Sequence, residues 1–313
     1  MTEPTAVLLM AYGTPYQESD IKGYYTNIRH GEEPPKPLMD QLVGRYKAIG
    51  LPSPLAKITT AQRDGLQAAL NKAHPGAYKV YEGLKYIAPF IKDAVDQIAA
   101  DGINKVIGLP LAPQYSSYSS EDYHNRARKA VETHPGMEYL PVRSWWNHHQ
   151  LIHFWSDQLV AKKELTDRPD TKVIFSAHSL PLRIIQGGDP YKDEVIGLTN
   201  AVAQAAGLNE DQYVLAWQSA GRTEEPWIGP DFVSVAQDLI VNGDIKAIVS
   251  ASIGFIADNL EICYDVDQEL SKAIQSAGGT LTRLNMPNDD PALISTLLEV
   301  VGEMAETIGM AES

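Results

Sequence analysis

The chain contains very little cysteine and no long hydrophobic run. Cys263 is its single cysteine among 313 residues, so it cannot form an internal disulfide and cannot by itself ligate an iron–sulfur cluster. The apolar stretch at residues 6–11 is far too short for a signal-peptide core or a spanning helix, and no other run reaches membrane length. We therefore expect a soluble, cytoplasmic protein without an integral membrane segment.

Basic residues are also scarce. The 26 Lys and Arg residues stand against 40 Asp and Glu residues, which gives a formal net charge of −14. Nucleic-acid binding requires the opposite balance and is not expected. An anionic substrate would have to be held by particular basic side chains, because the field of the whole protein repels it.

Several common catalytic motifs are absent as well. The sequence has no Walker A, GxGxxG or GxSxG motif, which argues against nucleotide-dependent enzymes and serine hydrolases. It has neither HExxH nor paired CxxC motifs, which argues against a zinc site.

What the chain does have is a regular alternation of strand-like and helix-like segments. Apolar and β-branched runs predict strands at about 5–11, 78–83, 104–110, 138–143, 172–177, 213–218, 245–251 and 280–284. Helical patterns lie between them: one begins at Ile91 with Gly102 as its C-cap, and the spacing of Thr59 and Gln62 predicts another helix start at Thr59. Uniformly apolar strands separated by helices indicate parallel sheets that are covered on both faces.

The two halves of the chain resemble one another. Residues 101–107 are echoed by residues 242–248, and residues 6–12 are echoed by residues 172–178. The offsets of these echoes differ by about 25 residues, which indicates extra chain between the first two strands of the first half.

These patterns predict an α/β fold with two Rossmann-like lobes, each a four-stranded parallel sheet flanked by helices. The expected domains are residues 1–145 and 146–313, with an insertion at about 15–60 in the first lobe. A terminal helix at about 289–309 is expected to pack back on the first lobe.

Two side chains stand where such folds bind ligands. Open α/β sheets bind at the carboxyl ends of their strands, and Tyr12 and His178 both follow a predicted strand there. We expect them on opposite walls of an active-site cleft between the lobes, with His178 as the working base. The alternative is a structural histidine that caps a strand end through backbone hydrogen bonds.

An acidic row and a basic insertion are further candidates. Glu261, Asp265 and Glu269 are spaced to share one α-helical face, which suits a cation path or a proton exit, or is simply a solvated face. Arg29 and Arg45 stand among tyrosines in the insertion, which could bind a flat anion or be plain surface.

Six motifs in order make the chain resemble the ferrochelatase family over about residues 5 to 309. They are Met10-Ala11-Tyr12-Gly13-Thr14-Pro15, Ser53-Pro54-Leu55, Leu111-Ala112-Pro113-Gln114-Tyr115-Ser116, Ser176-Ala177-His178-Ser179-Leu180-Pro181, Trp217-Gln218-Ser219 with Pro226-Trp227-Ile228-Gly229-Pro230, and Gly254-Phe255 through Glu261. The overall pattern looks most like the short Gram-positive coproporphyrin type.

The resemblance implies a lyase that inserts ferrous iron into a porphyrin during haem biosynthesis. His178 would accept pyrrole protons with Glu261 as its partner, and His178, Glu261 and Tyr12 would approach the metal. Asp265 and Glu269 would relay protons or metal.

The porphyrin would be bound by Tyr12, Arg29, Arg45, Ser53 and Tyr123. Coproporphyrin III, which gives coproheme, is favoured over protoporphyrin IX. Iron would be a substrate rather than a permanently bound cofactor. The expected partners are the porphyrin and ferrous iron, with transient contacts to haem-pathway enzymes.

The chain departs from the family pattern at three positions. Asn259 and Tyr86 stand where the family usually has histidine, and Ala88 stands where glutamate is common in the Gram-positive type. We expect altered rate or metal preference rather than loss of activity. A cobalt or nickel tetrapyrrole chelatase and a non-catalytic porphyrin- or haem-binding carrier remain as alternatives.

Overall fold

Two parallel sheets organise the computed structural model, which describes residues 3–221 and 223–311. Within those residues each sheet has four strands. Their bounds are β1 Thr5–Ala11, β2 Tyr78–Leu84, β3 Lys105–Pro110, β4 Glu138–Pro141, β5 Thr171–His178, β6 Tyr213–Gln218, β7 Ala247–Ala251 and β8 Thr280–Arg283. All eight predicted strands are present to within a few residues, and the predicted α/β class with two four-stranded parallel sheets is confirmed.

The sheets repeat one topology. The strand orders are β2-β1-β3-β4 and β6-β5-β7-β8, so the first strand of each half lies second in its sheet. The internal sequence echoes follow from this repetition, because β1 and β5 occupy equivalent central places. Helices that cover both faces keep residues 6–11 of β1 buried, which explains their continuous apolar character.

Helices fill the connections between the strands. Their bounds are α1 Asp20–Ile28, α2 Lys36–Ile49, α3 Pro54–Ala73, α4 Ile91–Ala100, α5 Ser120–Val131, α6 His149–Val160, α7 Lys163–Thr166, α8 Leu182–Gln186, α9 Tyr191–Ala206, α10 Phe232–Val241, α11 Ser271–Ser276 and α12 Pro291–Ala311. A short 3₁₀ turn covers Glu210–Gln212, and a π-helix covers Ile262–Leu270. None of the helices in the described ranges is long and apolar enough to cross a bilayer.

One predicted helix start is wrong. The helix expected to begin at Thr59 begins at Pro54, and Ser53 caps it by accepting a hydrogen bond from the Leu55 amide at 3.4 Å. Proline at the first helical position after a serine is a strong start signal, whereas Thr59 lies inside the helix and donates to the Leu55 carbonyl. Gly102 follows α4 with φ of 76°, as its expected capping role requires.

The described residues divide into two compact units. The first contains the chain up to Ala112, Ser117–Trp145 and the residues from Asn288 onward, and the second contains Pro113–Ser116 and Trp146–Pro287. The first unit therefore includes α1 and α2, which lie in the inserted stretch between β1 and β2.

The terminal helix α12 packs against α3 inside the first unit. Gly65 of α3 leaves room for Ile294, whose Cδ1 atom would lie 2.9 Å from a Cβ at that position. The Gln62 side chain donates to the Asn288 carbonyl just before α12. The core beside β1 is formed by α4 and α5, including Val95, Ile98 and Ala127.

Candidate active site

His178 is the last residue of β5 and pairs in register with Gln218 of β6. Pro181 then begins the turn into α8. The Tyr191 hydroxyl donates to the His178 carbonyl at 2.9 Å and holds the backbone at the strand end. The imidazole therefore lies at the carboxyl edge of the second sheet, as the sequence predicts.

The two ring nitrogens of His178 have different partners. Nδ1 lies 2.5 Å from the Ser179 carbonyl, which can only accept, so Nδ1 carries a hydrogen in every protonation state. Nε2 lies 3.2 Å from Oε1 of Glu261, and both side chains are about one-third exposed. The hydrogen-bond pattern thus assigns Nε2 as the position that gains and loses a proton.

The electrostatics of the pair favour a bound proton. Burial disfavours the imidazolium and is the largest influence on the pKa of His178, but the Glu261 charge, its hydrogen bond and the Ser179 carbonyl outweigh burial. The net effect raises the pKa above its ordinary 6.5. A proton is therefore held more firmly between His178 and Glu261 than on an isolated imidazole.

Glu261 is aligned by the start of the helix that follows it. The Asn259 side chain accepts from the Ile262 amide at 2.9 Å, and the Asn259 carbonyl accepts from Cys263 at 2.9 Å. Asparagine is among the best capping residues, because its oxygen satisfies an otherwise unpaired helix N–H group. In this chain the position where the family usually has histidine serves as a cap.

The three acids of the predicted row lie along a helix that is not an ordinary α-helix. From Ile262 to Leu270 the backbone is π-helical, and long π-helices are rare and frequently mark functional sites. Glu261 is half-buried, Asp265 is 4% exposed, and Glu269 is exposed. The expectation of a regular α-helix is therefore wrong, and of the three acids Asp265 is the most buried and Glu269 is the one exposed to solvent.

Asp265 and Cys263 have distinct surroundings on this helix. The Ser219 hydroxyl donates to Oδ2 of Asp265 at 2.5 Å. Burial, with help from the charges of Asp258 and Asp267, raises the pKa of the Cys263 thiol to about 11, so it stays protonated and is a poor metal ligand. Among the described residues no group of three or more His, Cys, Asp and Glu side chains is arranged to cage an ion.

Tyr12 directly follows β1 in the first unit and is 42% exposed. Its ring meets the edge of Tyr86 with centroids 4.7 Å apart and that of Tyr24 at 6.3 Å. Tyr123 of α5 is buried, and its burial raises the pKa of its phenol.

The buried ammonium group of Lys85 lies close to the rings of Tyr12, Tyr86 and Tyr123. Lys85 Nζ lies 5.8 Å from the ring centre of Tyr12, 5.2 Å from that of Tyr86 and 4.5 Å from that of Tyr123. The ammonium is only 5% exposed and pairs with Asp122 at 2.9 Å. Burial lowers the pKa of Lys85, and Asp122 opposes that shift.

The other predicted porphyrin residues lie on the inserted helices. Arg29 directly follows α1 and pairs with Glu32 at 3.3 Å, and Arg45 is a half-buried residue of α2. Ser53 caps α3 and is 1% exposed. Their binding roles stay predictions, as does the cleft expected between the lobes.

Comparison with known proteins decides the family. A family model described as ferrochelatase matches residues 4–305. The chain belongs to the ferrochelatase family.

Relatives in this family are similar over nearly their whole length. The chain is 42% identical to a coproporphyrin III ferrochelatase of Listeria monocytogenes, covering 97% of this chain and 99% of that protein. It is 40% identical to the coproporphyrin III ferrochelatase of Bacillus subtilis, covering 94% of this chain and 96% of that protein. The expected resemblance and the metal chelatase class are thereby confirmed.

Solved structures confirm the fold. The SirB protein from Bacillus subtilis with Fe³⁺ aligns with a TM-score of 0.62 at 12% identity, covering 96% of each chain. CbiX, a terminal enzyme of sirohaem biosynthesis in denitrifying bacteria, aligns with a TM-score of 0.53 at 13% identity, covering 95% of this chain and 98% of the other. At such low identity the likeness concerns architecture alone.

Three charged residues around Tyr86 are not predicted from the sequence. Lys85 is not expected to be buried, because lysine side chains are usually solvated. Only the pairing of Asp122 with Arg126, at 2.9 Å, could have been found from the sequence. Opposite charges four residues apart on a helix lie on the same face and can pair.

Proposed function

We propose that the protein inserts ferrous iron into coproporphyrin III and releases coproheme. The observation that carries this proposal is the His178–Glu261 pair at the end of β5, with Nε2 and Oε1 3.2 Å apart, in a chain of the ferrochelatase family. The reaction needs a proton acceptor more than a permanent metal cage, and this pair supplies one.

The chemistry explains the need for a base. A free-base porphyrin carries two pyrrole N–H protons where the metal must enter, so insertion of Fe²⁺ releases two protons. Binding energy at the porphyrin periphery can offset the bending that turns a pyrrole nitrogen outward. His178 Nε2 accepts a pyrrole proton, and Glu261 stabilises the resulting imidazolium.

The protons then need an exit. Asp265 lies on the π-helix after Glu261 and is buried, and Glu269 lies further along the same helix and is exposed. We assign proton transfer to this row, with Glu269 delivering to water.

Coproporphyrin III is favoured because of its charge. Its four propionates need counter-charges on a protein with a net charge of −14, and Arg29 and Arg45 of the inserted helices supply guanidinium groups. Tyr12, Ser53 and Tyr123 complete the proposed porphyrin-binding set. The named relatives at 40–42% identity are coproporphyrin III ferrochelatases, which supports the same choice.

Anaerobic turnover with ferrous iron and two porphyrins tests this proposal. We expect coproporphyrin III to be metallated with a kcat/KM about tenfold or more above that of protoporphyrin IX, or about 1.4 kcal/mol of discrimination. Equal or faster turnover of protoporphyrin IX would contradict the substrate assignment. Spectral binding without metallation would instead identify a porphyrin carrier, and insertion of cobalt or nickel but not iron would identify another chelatase.

A further inference from the structure

Ser219 has an unusual backbone at the edge of the second sheet. It directly follows β6 and has φ of 58°, in the left-handed region that favours glycine. Among the described non-glycine residues only His30, Ser219 and Asn288 have a positive φ. A serine in this conformation carries strain that glycine would not, and such strain often marks a functional constraint.

The strained backbone directs the hydroxyl to one acid of the row. Ser219 Oγ lies 2.5 Å from Oδ2 of Asp265, and Asp265 is 4% exposed. The preceding residue, Gln218, is fully buried and pairs in register with His178. Ser219 therefore connects the strand edge that carries His178 to the middle of the π-helix.

We propose that Ser219 is a positioning residue, whose hydroxyl fixes the Asp265 carboxylate and the π-helix Ile262–Leu270 relative to His178. This inference rests on the proposed function, in which Asp265 carries protons away from the His178–Glu261 pair. Proton transfer depends steeply on donor–acceptor distance, so a carboxylate that swings freely transfers protons more slowly.

Replacing Ser219 with glycine distinguishes a positioning role from a purely structural one. Ser219→Gly relieves the backbone strain and deletes the hydroxyl, so a purely structural role predicts equal or greater stability with unchanged turnover. A positioning role predicts equal or greater stability with slower turnover. Ser219→Asn is the rescue variant, because asparagine tolerates the left-handed region and its amide can donate to a carboxylate.

Asn288→Gly is the matched control. Asn288 has φ of 47° and belongs to the first unit, whereas the π-helix belongs to the second, so Asn288→Gly places glycine in the same left-handed backbone region of the other unit. Thermal unfolding, steady-state iron insertion and amide hydrogen exchange of residues 262–270 are measured for all three variants and the unaltered protein.

We expect Ser219→Gly to unfold at or above the temperature of the unaltered protein while kcat falls about tenfold and the porphyrin KM stays within about twofold. Amide exchange of residues 262–270 should accelerate in Ser219→Gly and return towards normal in Ser219→Asn. Asn288→Gly should change neither kcat nor this exchange.

Unchanged kcat or unchanged exchange of residues 262–270 in Ser219→Gly would overturn the proposal. If the unaltered protein inserts no iron, the proposed function fails by itself. The positioning role is then judged on the exchange of the π-helix alone, where acceleration supports it and normal exchange overturns it.

Discussion

Nε2 of His178 lies 3.2 Å from Oε1 of Glu261, while Nδ1 of the same ring faces the Ser179 carbonyl. The second contact fixes the tautomer, and the first makes the histidine a stronger base. A stronger base holds a pyrrole proton better, but it must lose its own proton before it can act. Under the proposed function, Asp265 and Glu269 carry that proton away.

Replacing Glu261 should change the pH profile in a definite direction. The carboxylate raises the pKa of His178, and an amide cannot, so Glu261→Gln should lower that pKa. Activity needs the unprotonated pair and rises with pH through this pKa, so the acid limb of kcat/KM should move to lower pH. The maximum rate should also fall, because the imidazolium loses its partner.

Glu164→Gln is the control, because Glu164 is an exposed residue of α7 in the same unit. This variant should leave the pH dependence of kcat/KM unchanged. An acid limb that stays where it is in Glu261→Gln would show that another group limits the rate at low pH.

Gly254 is required by its close approach to β5. A Cβ at this position would lie 2.5 Å from the Ala177 Cβ and 2.7 Å from its Cα, next to His178. We expect Gly254→Ala to displace the strand end, to lower the free energy of unfolding by about 1–3 kcal/mol and to slow iron insertion. Urea unfolding and turnover measure these effects.

Gly302→Ala is the matched glycine control. Gly302 lies inside α12 with nothing within 4 Å of the position that an alanine Cβ would take, so alanine should stabilise the helix by up to about 1 kcal/mol without slowing turnover. Turnover of Gly254→Ala equal to that of Gly302→Ala would show that the approach to Ala177 does not position His178.

Tyr86 should hold the ring of Tyr12 for porphyrin binding. The rings meet edge to face at 4.7 Å, and Lys85 and Arg126 lie 5.2 and 5.1 Å from the centre of the Tyr86 ring. Tyr86→Leu removes an aromatic contact worth about 0.5–1.5 kcal/mol and should weaken coproporphyrin III binding several-fold, whereas Tyr86→Phe should keep it. Fluorescence titration measures both, and equal affinities of the two variants would exclude this role.

His124 should make the first unit sensitive to acid. Burial lowers its pKa despite the opposing effect of Glu121. Its ring lies 2.7 Å from the Tyr139 hydroxyl and 3.0 Å from the Val142 carbonyl, which suits the neutral form. A depressed folded pKa means that the unfolded chain binds the proton first, so the free energy of unfolding should decrease as pH falls below about 6.5.

Urea unfolding at pH 8 and pH 5.5 checks this dependence. His124→Gln should be less stable than the unaltered protein at pH 8, because it loses hydrogen bonds, but should lose less stability between the two pH values. An identical loss in both proteins would assign the acid sensitivity to other groups.

The strands and the place of His178 were predictable, but the local helix geometry was not. Uniformly apolar segments bounded by helices have few alternatives to buried parallel strands. In an α-helix four residues slightly exceed one turn, so Glu261, Asp265 and Glu269 would share one face. In a π-helix four residues fall slightly short of one turn, so the same three residues still lie nearly on one face. Their spacing therefore could not distinguish the two helices.

The surroundings of Lys85 could not be deduced from local sequence either. Its burial depends on Asp122 and Tyr123 of α5, which lie far along the chain and meet it only through the fold. Local patterns assign a lysine to solvent, and tertiary partners reverse that assignment.

His178→Ala is the most direct test of the proposal that His178 accepts the pyrrole protons. Coproporphyrin III binding is measured by titration, and ferrous iron insertion is measured under anaerobic single-turnover conditions. We predict that the variant binds the porphyrin with nearly normal affinity and forms no coproheme. Coproheme formation at a rate near that of the unaltered protein would contradict this role of His178.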